Sequence, residues 1–294
     1  MKFPNLFIIG AMKAGTSSLH EYLHQHPDIF MSRFKEPQYF APHRLRWGQK
    51  WGQGNPLPEP GIDWYLHLFE DAGNVKYAGE SSVSYTARPW VSGCEQRIYA
   101  YNPAARFIYI MRDPIERTVS HYWHLVASGD EDRDMLTAVR RKEAYIARSY
   151  YAMQLRPYIE TFGRDHVFVL TLEELNARPE EIFQALFTWL GVDPHAPIIP
   201  DEKFNVGALR LKQTRRHCLL LHKTLKHWRW KRREWMLPQG IRQGLERLAY
   251  RSVHRHTIDP RPTVDYLRPL FQQYTAELTE LLGRDFYVWS TLYA

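Results

Sequence analysis

The residues best placed to do chemistry form the stretch Gly10-Ala-Met-Lys-Ala-Gly-Thr-Ser-Ser-Leu19. Its two glycines and four-residue spacer follow the loop that cradles nucleoside triphosphates, G-x-x-x-x-G-K-[ST], in which the lysine after the second glycine reaches the β- and γ-phosphates. Thr16 occupies that lysine position, and Lys13 stands two residues before Gly15 instead. The pattern therefore predicts a loop for an anion other than a triphosphate. The run Asn5-Leu-Phe-Ile-Ile9 before it reads as a buried parallel strand, and Ser17 to Leu23 reads as a helix start with small hydroxyl residues at the cap. Backbone N–H groups of Ala14, Gly15, Thr16 and Ser17 would then face the anion, with Ser18 next, favoured by about half a positive charge at the helix N-terminus. Taken alone, the two glycines suit an ordinary strand-to-helix turn equally well.

A second constellation, Tyr109-Ile-Met-Arg-Asp-Pro-Ile-Glu-Arg-Thr-Val-Ser-His-Tyr122, repeats this logic at another strand end. Arg112 leaves the C-terminal edge of the strand, where open α/β sheets bind ligands, and its guanidinium can grip a phosphate through two parallel hydrogen bonds. Asp113-Pro114 caps and opens a helix. Ser120, two turns further on, faces back along that cap, so Arg112 and Ser120 can bracket one anion. The competing reading makes Asp113 and Arg117 an i,i+4 surface pair and Arg112 a solvated strand end. A third feature is Lys35-Glu36 before Pro37. Proline restricts Glu36 to extended backbone, which projects the carboxylate; on its own the dipeptide reads as an exposed charge pair in a loop.

The elements that must position these groups alternate between strand and helix. Beyond the first unit, 32–62 is rich in Pro, Gly, His and Trp and reads as a functional loop. Strands are expected at 75–79, 106–111 and 167–171. Helices are expected at 89–101, from Pro114 onward, at 145–162, at 173–190 with a break near Pro179, and at 267–282. The stretch 207–256 is basic and reads as mostly helical. The expected architecture is α/β: a single three-layer domain over residues 1–294, with a central parallel β-sheet flanked by helices in a P-loop-like arrangement and a basic helical C-terminal region.

Composition narrows the classes. At 294 residues with 44% hydrophobic side chains the chain can bury a full core, which excludes disorder. Cys94 and Cys218 have neither metal nor redox spacing; they read as free thiols in a reducing compartment, with a single disulfide as the alternative. The N-terminal apolar run is too short and proline-broken for a signal peptide, and nothing approaches the ~18 apolar residues of a membrane span; a cytoplasmic location is expected. Net charge is +7, yet residues 203–256 carry fifteen Lys or Arg against two acids. That concentration suits steering of anionic small molecules, nucleic acid or lipid head groups.

In order and spacing, Lys13-Ala-Gly-Thr-Ser-Ser, Lys35-Glu-Pro-Gln-Tyr-Phe, Gly61-Ile-Asp-Trp-Tyr65, Gly79-Glu-Ser-Ser and the segment from Arg112 to Tyr122 closely resemble the sulfotransferases that use 3′-phosphoadenosine 5′-phosphosulfate (PAPS). The resemblance is strongest to the glycan-modifying type and its bacterial stand-alone relatives, and it extends to the Leu-Leu-Gly-Arg-Asp-Phe ending. It implies that Lys13 to Ser18 hold the 5′-phosphosulfate, with Lys13 near the oxygen bridging phosphorus and sulfur. It implies that Arg112 and Ser120 hold the 3′-phosphate and that Glu36 is the general base toward an acceptor hydroxyl or amine. Lys35 and Glu80 are implied, more weakly, as substrate-side residues, and adenosine 3′,5′-bisphosphate as the product, with no metal.

The family often has a late basic-glycine loop over the 3′-phosphate. Lys212, Arg215 and Arg216 are its nearest substitutes here. A histidine serves as base in the small-molecule branch, which keeps His121 and His43 as lesser candidates. The acceptor classes implied are carbohydrate, glycolipid and small molecule. Within the basic stretch, 217–236 mixes cations with Trp and Leu, a composition for an anionic membrane surface, an anionic acceptor or an oligomer contact. Two other functions compete: a P-loop kinase, disfavoured by Thr16, and a nucleic-acid- or membrane-binding protein acting through 207–256. No base-reading motif supports nucleic acid as a partner.

Overall fold

The computed structural model describes residues 3–41, 61–199, 213–216, 244, 250–253, 255 and 258–294. The chain begins with strand β1 (Leu6–Gly10), helix α1 (Thr16–His24) and the three-residue strand β2 (Ile29–Met31). Helix α2 (Ile62–His67), strand β3 (Tyr77–Ser81), helix α3 (Cys94–Tyr101) and strand β4 (Arg106–Met111) follow. Helix α4 (Pro114–Ala127) precedes the shorter α5 (Met135–Arg141), α6 (Ala144–Ala147) and α7 (Tyr151–Phe162). Strand β5 (Val167–Thr171) leads into α8 (Leu172–Ala177) and α9 (Pro179–Leu190).

These five strands form one parallel sheet in the order β2-β3-β1-β4-β5. β1 is buried along its whole length, as an apolar run covered on both faces must be. Its alternation divides the core: Leu6 and Ile8 point to the side covered by α1, α8 and α9, while Phe7 and Ile9 point to the side covered by α3, α4 and α7. The helices thus sandwich the sheet, and the expected three-layer α/β architecture is what the chain adopts.

Two boundaries have clear local causes. Asp113 caps α4 by accepting from the Ile115 and Glu116 amides at 2.9 and 3.2 Å, with Pro114 at the first helical position. Arg178-Pro179 separates α8 from α9, the break expected where a proline removes a helical N–H.

The C-terminal part differs from its expectation. Within the basic stretch read as mostly helical, β6 (Gln213–Arg216) and β7 (Tyr250–Val253) pair antiparallel. Most of 207–256, including Lys212 and all of 217–236, lies outside the described residues. Helix α10 (Arg261–Leu282) then packs on α7, and α11 (Ser290–Tyr293) closes the chain against α4. The Leu292 amide donates to Asp113 Oδ2 at 3.1 Å, so the last turn is pinned to the cap of α4. Among the described residues, no helix is long and apolar enough to cross a membrane.

Candidate active site

The loop from Gly10 to Gly15 leaves the C-terminal end of the central strand. Gly10 is required by crowding, because a Cβ there would lie 2.5 Å from both Thr86 Oγ1 and the Tyr109 ring. Gly15 caps α1 in the left-handed region at φ 98°, a conformation glycine adopts without penalty. Lys13 also has a positive φ of 70°. The Ala14 amide donates to the Ala11 carbonyl at 3.1 Å, so it holds the loop's own shape rather than facing outward as expected. The first-turn amides of Thr16, Ser17 and Ser18 have no acceptor within the helix, and the earliest α1 bond seen is Leu19 N–H to Gly15 O at 3.1 Å.

Lys13 is surrounded by cations. Burial, then the charges of Arg255, Arg112 and Arg117, push its ammonium below the usual lysine range. Arg112 emerges from the end of β4 and pairs with Glu116 at 3.1 Å, while its carbonyl accepts from the Tyr151 hydroxyl at 2.6 Å. Ser120 sits buried on α4 two turns beyond.

Arg117 overturns the surface-pair alternative, because it is completely buried. It donates to Ser149 Oγ, the Tyr145 carbonyl and, at 3.4 Å, the Met12 carbonyl in the loop. Burial pushes its guanidinium down to about 10, and among the described residues no carboxylate pairs with it. Arg255, which sequence reasoning passed over in favour of Lys212, Arg215 and Arg216, places its guanidinium 5.5 Å from the Trp123 ring centre and leaves its buried Nε without a partner among the described residues. A cavity of about 610 Å³ along α4 is lined by Val119, Trp123, Met135 and Arg255.

The second half of the site is built between β2 and β3. Beyond β2 the chain continues alongside β3, with Ser32 N–H to Gly79 O at 2.8 Å and Glu36 N–H to Ser81 O at 2.9 Å. Glu36 has φ 57°, in the left-handed region rather than the extended one expected before Pro37. The backbone pairing with Ser81 and the side-chain bond below override the local preference. The Glu36 carboxylate accepts from the Val83 amide at 3.1 Å. Burial pushes this carboxyl up to about 7, against the opposing pull of the Val83 amide, Lys35 and Arg148. Arg148 is itself buried and donates to the Val83 carbonyl at 3.3 Å.

Lys35 Nζ donates to Ser17 Oγ at 2.7 Å, which brings the two halves together. His20 braces the same junction: its Nε2 meets the Ser32 carbonyl at 3.1 Å and its Nδ1 the Ser81 hydroxyl at 2.7 Å. The carbonyl can only accept, so Nε2 carries the proton and Nδ1 accepts. Burial and then Lys35 push this imidazole down to about 4.

Glu80 corrects its expectation. It has no exposed surface, so it does not line a cleft, and its carboxylate accepts from the hydroxyls of Tyr65, Tyr85 and Ser82 at 2.9, 2.6 and 2.7 Å. His121 is also buried, with Nδ1 unpartnered among the described residues, and burial holds it well below the usual imidazole range. His43 lies outside the described residues. No group of three or more His, Cys, Asp or Glu among the described residues could hold a metal ion.

An amide-rich helix start beside several cations is a site for an anion with more than one charge. A partly protonated carboxyl at its edge can take a proton from a neighbouring molecule. Comparison with known proteins gives the family of the chain. The family described as "Sulfotransferase family" matches residues 4–196. The chain is 24% identical over 245 residues to the bifunctional heparan sulfate N-deacetylase/N-sulfotransferase 1 of Mus musculus, a match over 74% of this chain and 26% of that protein. It is 34% identical over 122 residues to the membrane-associated sulfotransferase kil1 of Dictyostelium discoideum, covering 40% of this chain and 22% of that one. The matches thus span about a quarter of the length of these relatives. Among solved structures, a sulfotransferase from Alicyclobacillus acidocaldarius superposes with a TM-score of 0.66 at 26% identity, covering 98% of this chain and 99% of that one.

Proposed function

Because the chain belongs to the sulfotransferase family, we propose that residues 1–294 form one domain that transfers the sulfuryl group of PAPS to a hydroxyl or amine of an acceptor. The donor loop is Lys13, Ala14, Gly15, Thr16, Ser17 and Ser18, with the first-turn amides on the 5′-phosphate. Arg112 and Ser120 take the 3′-phosphate and Arg255 joins them, in place of the Lys212, Arg215 and Arg216 set. The cavity beside Trp123 offers room for the nucleoside. The observation that carries this reading is the junction itself: Lys35 is bonded to Ser17 of the anion loop, and the next residue, Glu36, presents a carboxyl pushed up to about 7.

The chemistry follows from that placement. Glu36 accepts the acceptor's proton as the acceptor oxygen or nitrogen forms a bond to sulfur. The bond from sulfur to the bridging oxygen breaks in line, and the electron pair leaves on the 5′-phosphate. Lys13, held among arginines, meets the charge that builds on that oxygen. A sulfuryl group carries less charge than a γ-phosphoryl group, so helix amides and a lysine suffice in place of the triphosphate-loop lysine that Thr16 displaces. The heparan sulfate relatives support a carbohydrate acceptor, with glycolipids and small molecules in the same class of hydroxyl or amine donors. The basic segment 217–236 is read as a peripheral contact for an anionic acceptor or membrane face.

Calorimetric titration tests the donor assignment. Adenosine 3′,5′-bisphosphate should bind and ADP should bind much more weakly; tighter ADP binding would reject it.

A further inference from the structure

Glu80 is a buried carboxyl that touches neither the anion loop nor solvent, yet it organises the turn against which Glu36 rests. Its two oxygens gather three hydroxyls: Tyr65 and Tyr85 on Oε1 and Ser82 on Oε2. Ser82 Oγ in turn accepts from the Gln38 amide at 3.1 Å, and Tyr85 Oη accepts from the Phe40 amide at 3.2 Å. The Ser82 amide is fixed on β1 through the Ile8 carbonyl at 3.0 Å. Ser81 and Val83, on either side of Ser82, make the two contacts that define Glu36: Ser81 O accepts its amide and Val83 N–H donates to its carboxylate.

We propose that Glu80 is a positioning residue for Glu36, holding the Ser81–Val83 turn and setting, through its own charge behind that turn, how readily Glu36 gives up its proton. This rests on Glu36 being the base. The balance has identifiable parts. Lys35, Arg148 and the Val83 amide favour the ionised Glu36, whereas burial and the Glu80 charge oppose it. Around Glu80, the hydroxyls of Tyr85, Ser82 and Tyr65 favour its ionised form against burial, which pushes it up to about 7. Tyr65, Tyr85, Cys94 and Tyr158 face it from α2, the turn after β3, α3 and α7, and all are held neutral at that pH. Two carboxyls with overlapping titrations on one turn are coupled, so each proton lost from one makes the next harder to remove.

The coupling can be read without donor or acceptor. In full-length protein carrying glutamate labelled with carbon-13 at the side-chain carboxyl, the Glu36 resonance is identified by its loss in Glu36→Gln and titrated by NMR. In Glu80→Gln, which keeps the size of the side chain and removes its charge, the Glu36 midpoint should move to lower pH by roughly half a pH unit or more. Tyr65→Phe removes one donor that favours ionised Glu80, and should move Glu36 the same way by less. It serves as the second arm if Glu80→Gln does not fold. A Glu36 midpoint unchanged in the folded variants overturns the inference. Sulfuryl transfer surviving Glu36→Gln would instead remove the base assignment, and that outcome is read separately from the titration.

Discussion

Lys35 Nζ and Ser17 Oγ lie 2.7 Å apart, so the segment that presents Glu36 is fastened side chain to side chain onto the first turn of the anion loop. The two halves of the site come from different strands, and this bond fixes their separation. A bond to a charged group contributes about 1.5–3 kcal/mol. Lys35→Ala should therefore lower kcat/KM by roughly 10- to 100-fold while leaving the fold intact by circular dichroism. A kcat/KM within twofold of the wild type would show that the bond does not position the base.

Glu36→Gln should lower turnover by about 10²–10⁴-fold, the span usual for a positioned proton acceptor, with the affinity for adenosine 3′,5′-bisphosphate nearly unchanged. The wild-type rate should rise as pH climbs through about 7 and then level, because burial pushes the Glu36 carboxyl to that value. A rate profile flat between pH 5 and 9 would contradict this.

Stability should run the opposite way. Glu36 and Glu80 are both pushed up to about 7 in the folded protein, so between the ordinary carboxyl range near 4–5 and pH 7 the folded state holds more protons than the unfolded one. Their contribution is fully present below that window and is lost as pH rises through about 7. Denaturant melts compared for wild type and Glu80→Gln should show a smaller fall across the window in the variant. Parallel curves would disprove the assignment.

On the proposed donor assignment, Lys13 trades stability for binding. Burial and three arginine charges disfavour its ammonium, so Lys13→Met should raise the melting temperature of the empty protein. The extra stabilisation that adenosine 3′,5′-bisphosphate gives should shrink at the same time. A variant that melts lower and still responds fully to the ligand would show that Lys13 is not poised for an anion.

Gly10→Ala tests the entrance to the loop. A Cβ 2.5 Å from Thr86 Oγ1 and the Tyr109 ring forces buried groups apart, at about 1–3 kcal/mol for an overpacked core. Chemical denaturation should show a loss of that size; wild-type stability would mean the loop can shift to accommodate it.

The parts legible in the sequence are those with a local signature. β1, β4 and β5 announce themselves as apolar runs because both faces of the sheet are covered. Asp113-Pro114 and Arg178-Pro179 mark helix boundaries through side-chain and ring chemistry that neighbours cannot hide. β2 has no such signature because three residues carry too little pattern. Glu36 departs from its pre-proline preference because a partner 45 residues away, Ser81, takes its amide. The burial of Arg117 and Glu80, and the approach of Arg148 and Arg255 to Glu36 and Lys13, arise from contacts distant in sequence. No spacing rule reports such contacts. Arg117 stands on the opposite side of α4 from Ile115, Tyr122 and Val126, so the apolar face of that helix gives no hint of its burial.

The sheet order β2-β3-β1-β4-β5 means that Glu36, the Ser81–Val83 turn, the anion loop and Arg112 issue from four adjacent strands at one edge. Neighbouring strands keep a spacing of about 4.8 Å set by backbone hydrogen bonding. The sheet thus holds in place the strand ends from which the Glu36 segment and the Lys13 loop leave, and the Lys35–Ser17 bond ties the two segments together beyond those ends. Such a layout leaves the parts of the connecting segments farther from the sheet open to lengthening and resculpting over evolutionary time while the strand ends stay in register.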